Sequence, residues 1–311
     1  MAGFILRRLM WFLPNAVILT FVLFAAVTVW LGSPAAMMLG RDASPAAIAE
    51  INTVYGFDLP TWQQYLRWIG AALTGDFGRS YASHQAVSAM ILPAIPITLE
   101  LTAWAILLAL VTSLGLNSLA VGRHVIGVLS SGFSIVGITF PNFMLGAILI
   151  YVFSVKLGWL PTAGWIPWQS GVIDHLTHLI MPVLTLFAYY FGSFSMIYRA
   201  EYRAVDQQLY VRVAHSKGLS PTRVSFRHIL PNAVLPVVTF IGISIGRLVG
   251  GAVVTETVFS IPGLGRLFVG AIASYDFPVV LAMGMIVLTS VMICNLLADI
   301  VLASLNPQIR L

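Results

Sequence analysis

Apolar runs of similar length, separated by short polar breaks, set the pattern of this chain. They cover residues 9–31, interrupted only by Pro14 and Asn15, and then 98–119, 180–198, 233–254 and 279–302. A helix needs about 20 mostly apolar residues to bridge a hydrocarbon core of roughly 30 Å, so each run predicts one membrane span. Residues 125–155 are too long for one span and too short for two, and Pro141 lies inside them. They predict an interfacial helix followed by one span. The expectation is an all-α integral membrane protein with six transmembrane helices, a single domain over residues 1–311. Two longer polar stretches interrupt it, 32–96 and 199–231. In the first, Trp62, Tyr65 and Trp68 are spaced like one helix face, which suits a small folded cap or a pair of helices on the membrane surface.

Composition narrows the class. The 311 residues include only 16 basic and 11 acidic ones, and 59% are hydrophobic; a soluble domain of this length would carry roughly 75 charges. A soluble globular protein, a disordered chain and a nucleic-acid binder are thereby excluded. Cys294 is the only cysteine, so no internal disulfide forms. Arg7 and Arg8 ahead of the first run would also suit a secretory signal. The run is longer than a signal's apolar core and no small-x-small site follows, so an uncleaved first span is expected.

The net charge of +5 follows from topology. With the N-terminus inside, the inner side holds Arg7, Arg8, Arg123, Arg199, Arg203, Arg212, Lys217, Arg223, Arg227 and Arg310, against Arg41, Arg67, Arg79, Lys156 and Arg266 outside. That is the bias that orients membrane proteins, and Trp159, Trp165 and Trp168 cluster as an outer interfacial belt would.

Residues 199–231 form the only long polar segment on the inner side. Leu209, Val213 and Ser216 share one helical face, with Arg212 and His215 on another. Gly218 suits the left-handed position after a helix C-terminus. Ser220 can cap a second helix whose first residue is Pro221, and Leu230-Pro231 is expected to end that helix and return the chain to the membrane. Two short helices at a sharp angle are predicted, either a solvated basic loop or a docking surface for a cytoplasmic partner.

These residues carry a resemblance. Val213-Ala214, Gly218 and Leu230-Pro231 fall at the spacing of the E-A-A loop of binding-protein-dependent ABC importers, with Arg212 where that pattern has Glu. Further stretches extend the match along nearly the whole chain, among them Tyr55-Gly56-Phe57-Asp58-Leu59-Pro60, Gly75-Asp76-Phe77-Gly78-Arg79-Ser80, Gly158-Trp159-Leu160-Pro161, Arg227-His228-Ile229-Leu230-Pro231-Asn232 and Pro262-Gly263-Leu264-Gly265-Arg266. Asn306-Pro307-Gln308-Ile309-Arg310 matches at the C-terminus. The chain resembles the dipeptide/oligopeptide/nickel family of permease subunits.

The resemblance implies a type I importer permease fold with a cytoplasmic coupling helix, in a bacterial inner membrane. It implies a second homologous permease, two ATP-binding subunits that hold ATP and Mg, and an extracytoplasmic solute-binding protein that delivers peptides or similar small solutes. No cofactor is expected on this chain itself. The coupling-loop residues carried over are Arg212, Val213, Ala214, Lys217, Gly218, Leu230 and Pro231. Ala214 is expected to let a partner approach closely.

Other residues stand out by their own chemistry. Arg247 lies well inside the fifth span, where an unpaired charge is costly; it would either hold a carboxylate in transit or face a partner subunit. Gly242, Gly246 and Gly250 recur on one helix face, where small residues let helices pack closely. Gly242-Ile243-Ser244-Ile245-Gly246 matches G-x-S-x-G, yet a nucleophile elbow needs a strand before it. His175 and His178 could share a ligand, or sit at the interface bound to water. An ATP-independent secondary transporter or channel is the alternative; it would usually carry several intramembrane acids or an inverted repeat.

Overall fold

The computed structural model describes residues 2–32, 34–39, 43–120 and 124–305, with side chains except at 2–7, 9, 30, 31, 37, 124, 243, 245–251 and 302–305. Helix dominates, as it must where lipid offers the backbone no hydrogen bonds. Among the described residues the only strand-like pairing is a single bridge between Arg79 and Ala86. Among the described residues, four helices are long and apolar enough to cross a membrane, or up to six if each of two bent pairs counts as one span. The long ones are α1 (Ala2–Leu31), α5 (Val87–Leu119), α8 (Val172–Asp206) and α14 (Phe277–Leu305). The chain divides into two compact units, residues 1–97 with 263–293, and 98–262 with 294–311.

In the first unit the polar stretch after α1 folds into α2 (Pro34–Leu39), α3 (Pro45–Tyr55) and α4 (Thr61–Leu73). Ser44 caps α3, accepting from the Ala47 N–H, and Gly56 ends it at φ +72°. Helix α4 lies against α1. Tyr65 is buried, its hydroxyl 2.8 Å from Thr20 Oγ1, and Phe24 packs on Trp68 and Phe277. Of the expected aromatic face, Tyr65 and Trp68 pack inward while Trp62 is exposed. The loop before α5 is tied to the residue preceding α14: Asp276, buried, accepts from the Ser80 hydroxyl and from the Tyr81 N–H at 3.0 Å. Burial, and secondly the Asp276 carboxylate, push the Tyr81 phenol well above its usual pKa, so it keeps its proton.

The second unit is built around α8, whose Phe191, Phe194 and Tyr198 are fully buried. Helix α6 (His124–Thr139) runs along α8. A Cβ at Gly137 would strike the Ala188 carbonyl, and one at Gly192 would come within 2.6 Å of the Ser134 carbonyl, so the two backbones touch because glycine stands at both crossings. Residues 125–156 therefore differ from expectation. Instead of a surface helix followed by a full span, α6 and the segment after it form a pair bent by 109° at Pro141. That second half is α7 (Asn142–Leu149) continued by a wider π-helical stretch, Ile150–Lys156; at 1.5 Å per residue it reaches only about 22 Å, too short to cross alone. Helix α7 packs on α12 (Leu235–Val258), where Gly146 meets Phe259. Gly242 of α12 meets Ala298 of α14, the close approach expected of that face, while the Gly246 and Gly250 side-chain positions lie outside the described residues. Gly242-Ile243-Ser244-Ile245-Gly246 is helical, so it makes no nucleophile elbow.

Gly192→Val is expected to lower stability by about 1–3 kcal/mol through overpacking against α6, while Gly132→Ala, which points into open space, leaves it unchanged. Thermal melts of the purified protein in detergent check the pair, and equal melting temperatures would refute the backbone contact.

Candidate functional site

Helix α8 ends at Asp206, and a short helix, α9 (Leu209–Ser216), follows at once. Its sidedness is sharp. Val211 and Ala214 are buried, while Leu209 is 77% and Val213 44% exposed, and Arg212, His215, Ser216 and Lys217 also face outward. A mixed apolar and basic stripe thus stands free on the outer face. Ala214 sits on the opposite side from that expected: its small side chain lets α9 pack onto its own chain, and its burial leaves no room there for a partner.

The exit from α9 follows the sequence closely. Gly218 takes φ +74°, its N–H donating to the His215 carbonyl at 2.9 Å. A Cβ there would meet nothing within 4 Å, so glycine is needed for the backbone turn alone. Ser220 caps α10 (Pro221–Val224) by accepting from the Arg223 N–H, with Pro221 in the first turn.

Leu230 and Pro231 behave differently from expectation. They begin α11 (Leu230–Ala233), and helical structure continues from Pro221 to Ala233. A proline inside a helix clashes with the carbonyl four residues back; here Ser225–Ile229 widens into π-helical geometry, the kind of adjustment that accommodates such a break. The 43° bend falls after Ala233, before α12.

Buried polar bonds fasten the segment to the membrane helices. Ser225, fully buried, donates to the Ser118 carbonyl of α5 at 3.1 Å, and the Ser118 hydroxyl pairs with the Tyr198 hydroxyl of α8 at 2.6 Å. Next to Ser118, Asn117 donates to Ser195 Oγ at 3.0 Å and accepts from Ser130 Oγ at 3.0 Å. Arg199 completes the set, with Nε on the Ser195 carbonyl and Nη1 on the Ser131 hydroxyl. The two short helices are also clasped together. Tyr210 donates to the His228 carbonyl at 3.1 Å and accepts from Asn232 Nδ2 at 2.9 Å. Sequence reading missed this whole set, because serines and an asparagine in apolar runs give no sign of which distant residue they will meet.

The remaining candidates separate. Arg247 lies in α12, but its side chain falls outside the described residues. His175 and His178 make separate contacts. His175 is buried between Trp165 and Trp168, with Nδ1 2.6 Å from the Ile166 carbonyl and Nε2 3.0 Å from Glu100, while His178 contacts the Asp174 carbonyl. Among the described residues no group of three or more His, Cys, Asp or Glu could hold a metal. Glu256, also fully buried, accepts from Thr98 Oγ1 at 2.6 Å.

Comparison with known proteins agrees with this architecture. Residues 105–311 match the model of the binding-protein-dependent transport system inner membrane component, and residues 1–102 match that of its N-terminal region. The glutathione transport system permease protein GsiC of Salmonella paratyphi A is 36% identical over 100% of this chain and 99% of its own length. The oligopeptide transport system permease protein AppB of Bacillus subtilis is also 36% identical, over 100% of both. A crystal structure of an amino acid ABC transporter with histidines shares the fold, at a TM-score of 0.50 and 19% identity over 71% of this chain and 94% of that one. With multiple apolar helices and family matches that together span almost its whole length, the chain belongs to the inner-membrane components of binding-protein-dependent transport systems.

Proposed function

We propose that this chain is one of two homologous permease subunits forming the translocation pathway of an ATP-driven importer for peptides or similar small solutes. Its membrane relatives serve glutathione and oligopeptide transport systems by name, which supports that solute class. An extracytoplasmic binding protein delivers the solute, two ATP-binding subunits hold ATP and Mg on the inner side, and the N-terminus lies inside. The chain's own task is mechanical. Arg247, at membrane depth by sequence, is the candidate to hold a solute carboxylate in transit.

The observation that carries the coupling role is the two-sidedness of α9. Its outer face offers Leu209, Arg212 and Val213 to a partner, and Lys217 and Gly218 shape its exit. Its inner face, Val211 and Ala214, is locked into the chain. Behind it, Ser225, Ser118 and Tyr198 join the loop to α5 and α8. A push on the exposed face then reaches two membrane helices through buried bonds, with little slack.

Gly218→Val is expected to abolish uptake, since a β-branched residue resists φ +74° at a cost of about 1–2 kcal/mol, while Gly218→Asn retains most of it because asparagine tolerates that region. Val213→Asp is expected to leave the chain in the membrane and lose the ATP-binding subunits on affinity purification. Uptake by Gly218→Val at the parental rate, or retention of those subunits by Val213→Asp, would refute α9 as the coupling helix. A chain that purifies alone and transports without ATP would instead make it a secondary transporter.

Ser225→Ala removes one buried hydrogen bond, worth about 1 kcal/mol. It is expected to raise hydrogen exchange across residues 209–233 and to lower uptake per ATP hydrolysed. Unchanged exchange together with unchanged stoichiometry would show that the link carries no force.

A further inference from the structure

The first unit contains a cavity of ≈ 480 Å³ that the coupling machinery does not use. Small-ligand sites typically measure about 300–1,000 Å³ and combine apolar walls with a few placed polar groups. This one has that make-up. Tyr55 and Phe57, stacked at 5.7 Å, form one wall, and Phe24 and Phe277 form another.

Its charged groups keep bonding capacity to spare. Arg67 of α4 and Arg79 of the following loop both line the cavity, and neither has a carboxylate within ion-pair distance among the described residues. Arg79 makes only a long 3.5 Å contact to the His84 carbonyl. The Arg67 guanidinium lies close over Gly56: a Cβ there would come within 2.5 Å of its Nη1, so glycine leaves the space it occupies. Asp76 lines the same space, with Oδ1 engaged by the Gly78 N–H at 2.9 Å. Trp68 is a further wall residue, and its Nε1–H is buried with no hydrogen-bond partner among the described residues. An orphaned buried donor is costly and calls for an explanation.

Two guanidinium groups, one carboxylate and aromatic walls in one chamber suit a particular chemistry. A simple anion would meet Asp76, and a cation would meet both arginines. A zwitterion with an apolar body satisfies all of them. From this, and resting on the peptide-import reading, we propose that the cavity is a binding site on the permease itself for a short apolar peptide. Its terminal carboxylate lies on Arg67 and Arg79, its ammonium on Asp76 and its side chains against the aromatic walls. The site is separate from the cargo pocket of any delivering protein and acts as a station of low affinity on the outer segment.

The test uses the full-length chain in phosphatidylcholine nanodiscs, without a binding protein, titrated with tritiated Leu-Phe. Saturable binding is expected. Arg67→Gln with Arg79→Gln is expected to weaken it about ten- to a hundredfold, the usual effect of losing charge-assisted hydrogen bonds. The Leu-Phe C-terminal amide should bind as weakly to the parent chain, and the N-acetyl peptide should lose affinity in the parent more than in Asp76→Asn. Both arginines are exposed, so the variants should keep the parental melting temperature, which is measured alongside. No saturable binding, equal affinity for peptide and amide, or displacement by dodecanoate but not by unlabelled peptide would overturn the site. Uptake by the whole transporter separates the two readings. Binding without import would leave the site standing and sink the import reading, whereas import at the parental rate by a double variant of a chain that binds no peptide would do the reverse.

Discussion

A polar group inside hydrocarbon has no water to turn to, and the whole chain is arranged around that fact. It forces the backbone into helices, and it strongly favours a partner inside the protein for a buried side-chain polar group. Asn117 shows the outcome, joining α5 to both α6 and α8 through Ser130 and Ser195. Arg199 uses its guanidinium in the same way, on a carbonyl of its own helix and a hydroxyl of α6. Serine, threonine and asparagine thus do in this membrane protein what larger apolar contacts do in water. Glycine supplies the rest, at Gly137 and Gly192, by letting backbones meet.

The same constraint ties residues 209–233 to the long helices. A loop resting on solvent could move without consequence for the spans. This one is anchored by Ser225, which is fully buried and donates to the Ser118 carbonyl of α5. The clasp of Tyr210 with His228 and Asn232 holds the two short helices at a fixed angle. Attachment behind α9 and an open apolar and basic stripe in front of it are the two features on which the proposed coupling role rests.

Local chemistry was legible in the sequence; direction was not. Gly218, Ser220 and Pro221 each act through their own backbone, so their roles could be read from neighbours in the chain. Apolar length likewise revealed the long helices. What failed depended on tertiary contact. Ala214 reads as partner-facing from its size, and size says nothing about which way a small residue points. Pro231 reads as a stop, yet a local widening to π geometry lets the helix continue. The lie of α6 depended on Gly192 in α8, far along the chain, and Asp276 bonds with Ser80 and Tyr81 across nearly two hundred residues. No periodicity signals such pairings.

The buried His175 has a consequence in hydrogen counting. A carbonyl can only accept, so the Ile166 oxygen requires a proton on Nδ1. The other nitrogen faces Glu100, which also accepts from the Trp168 N–H. With Nδ1 fixed as a donor, the ring joins three parts of the chain at once: the Ile166 carbonyl on one side, and on the other the Glu100 oxygen of α5 that Trp168 also reaches. The first turns of α8 are thereby tied both to α5 and to the loop that precedes α8, through a single side chain.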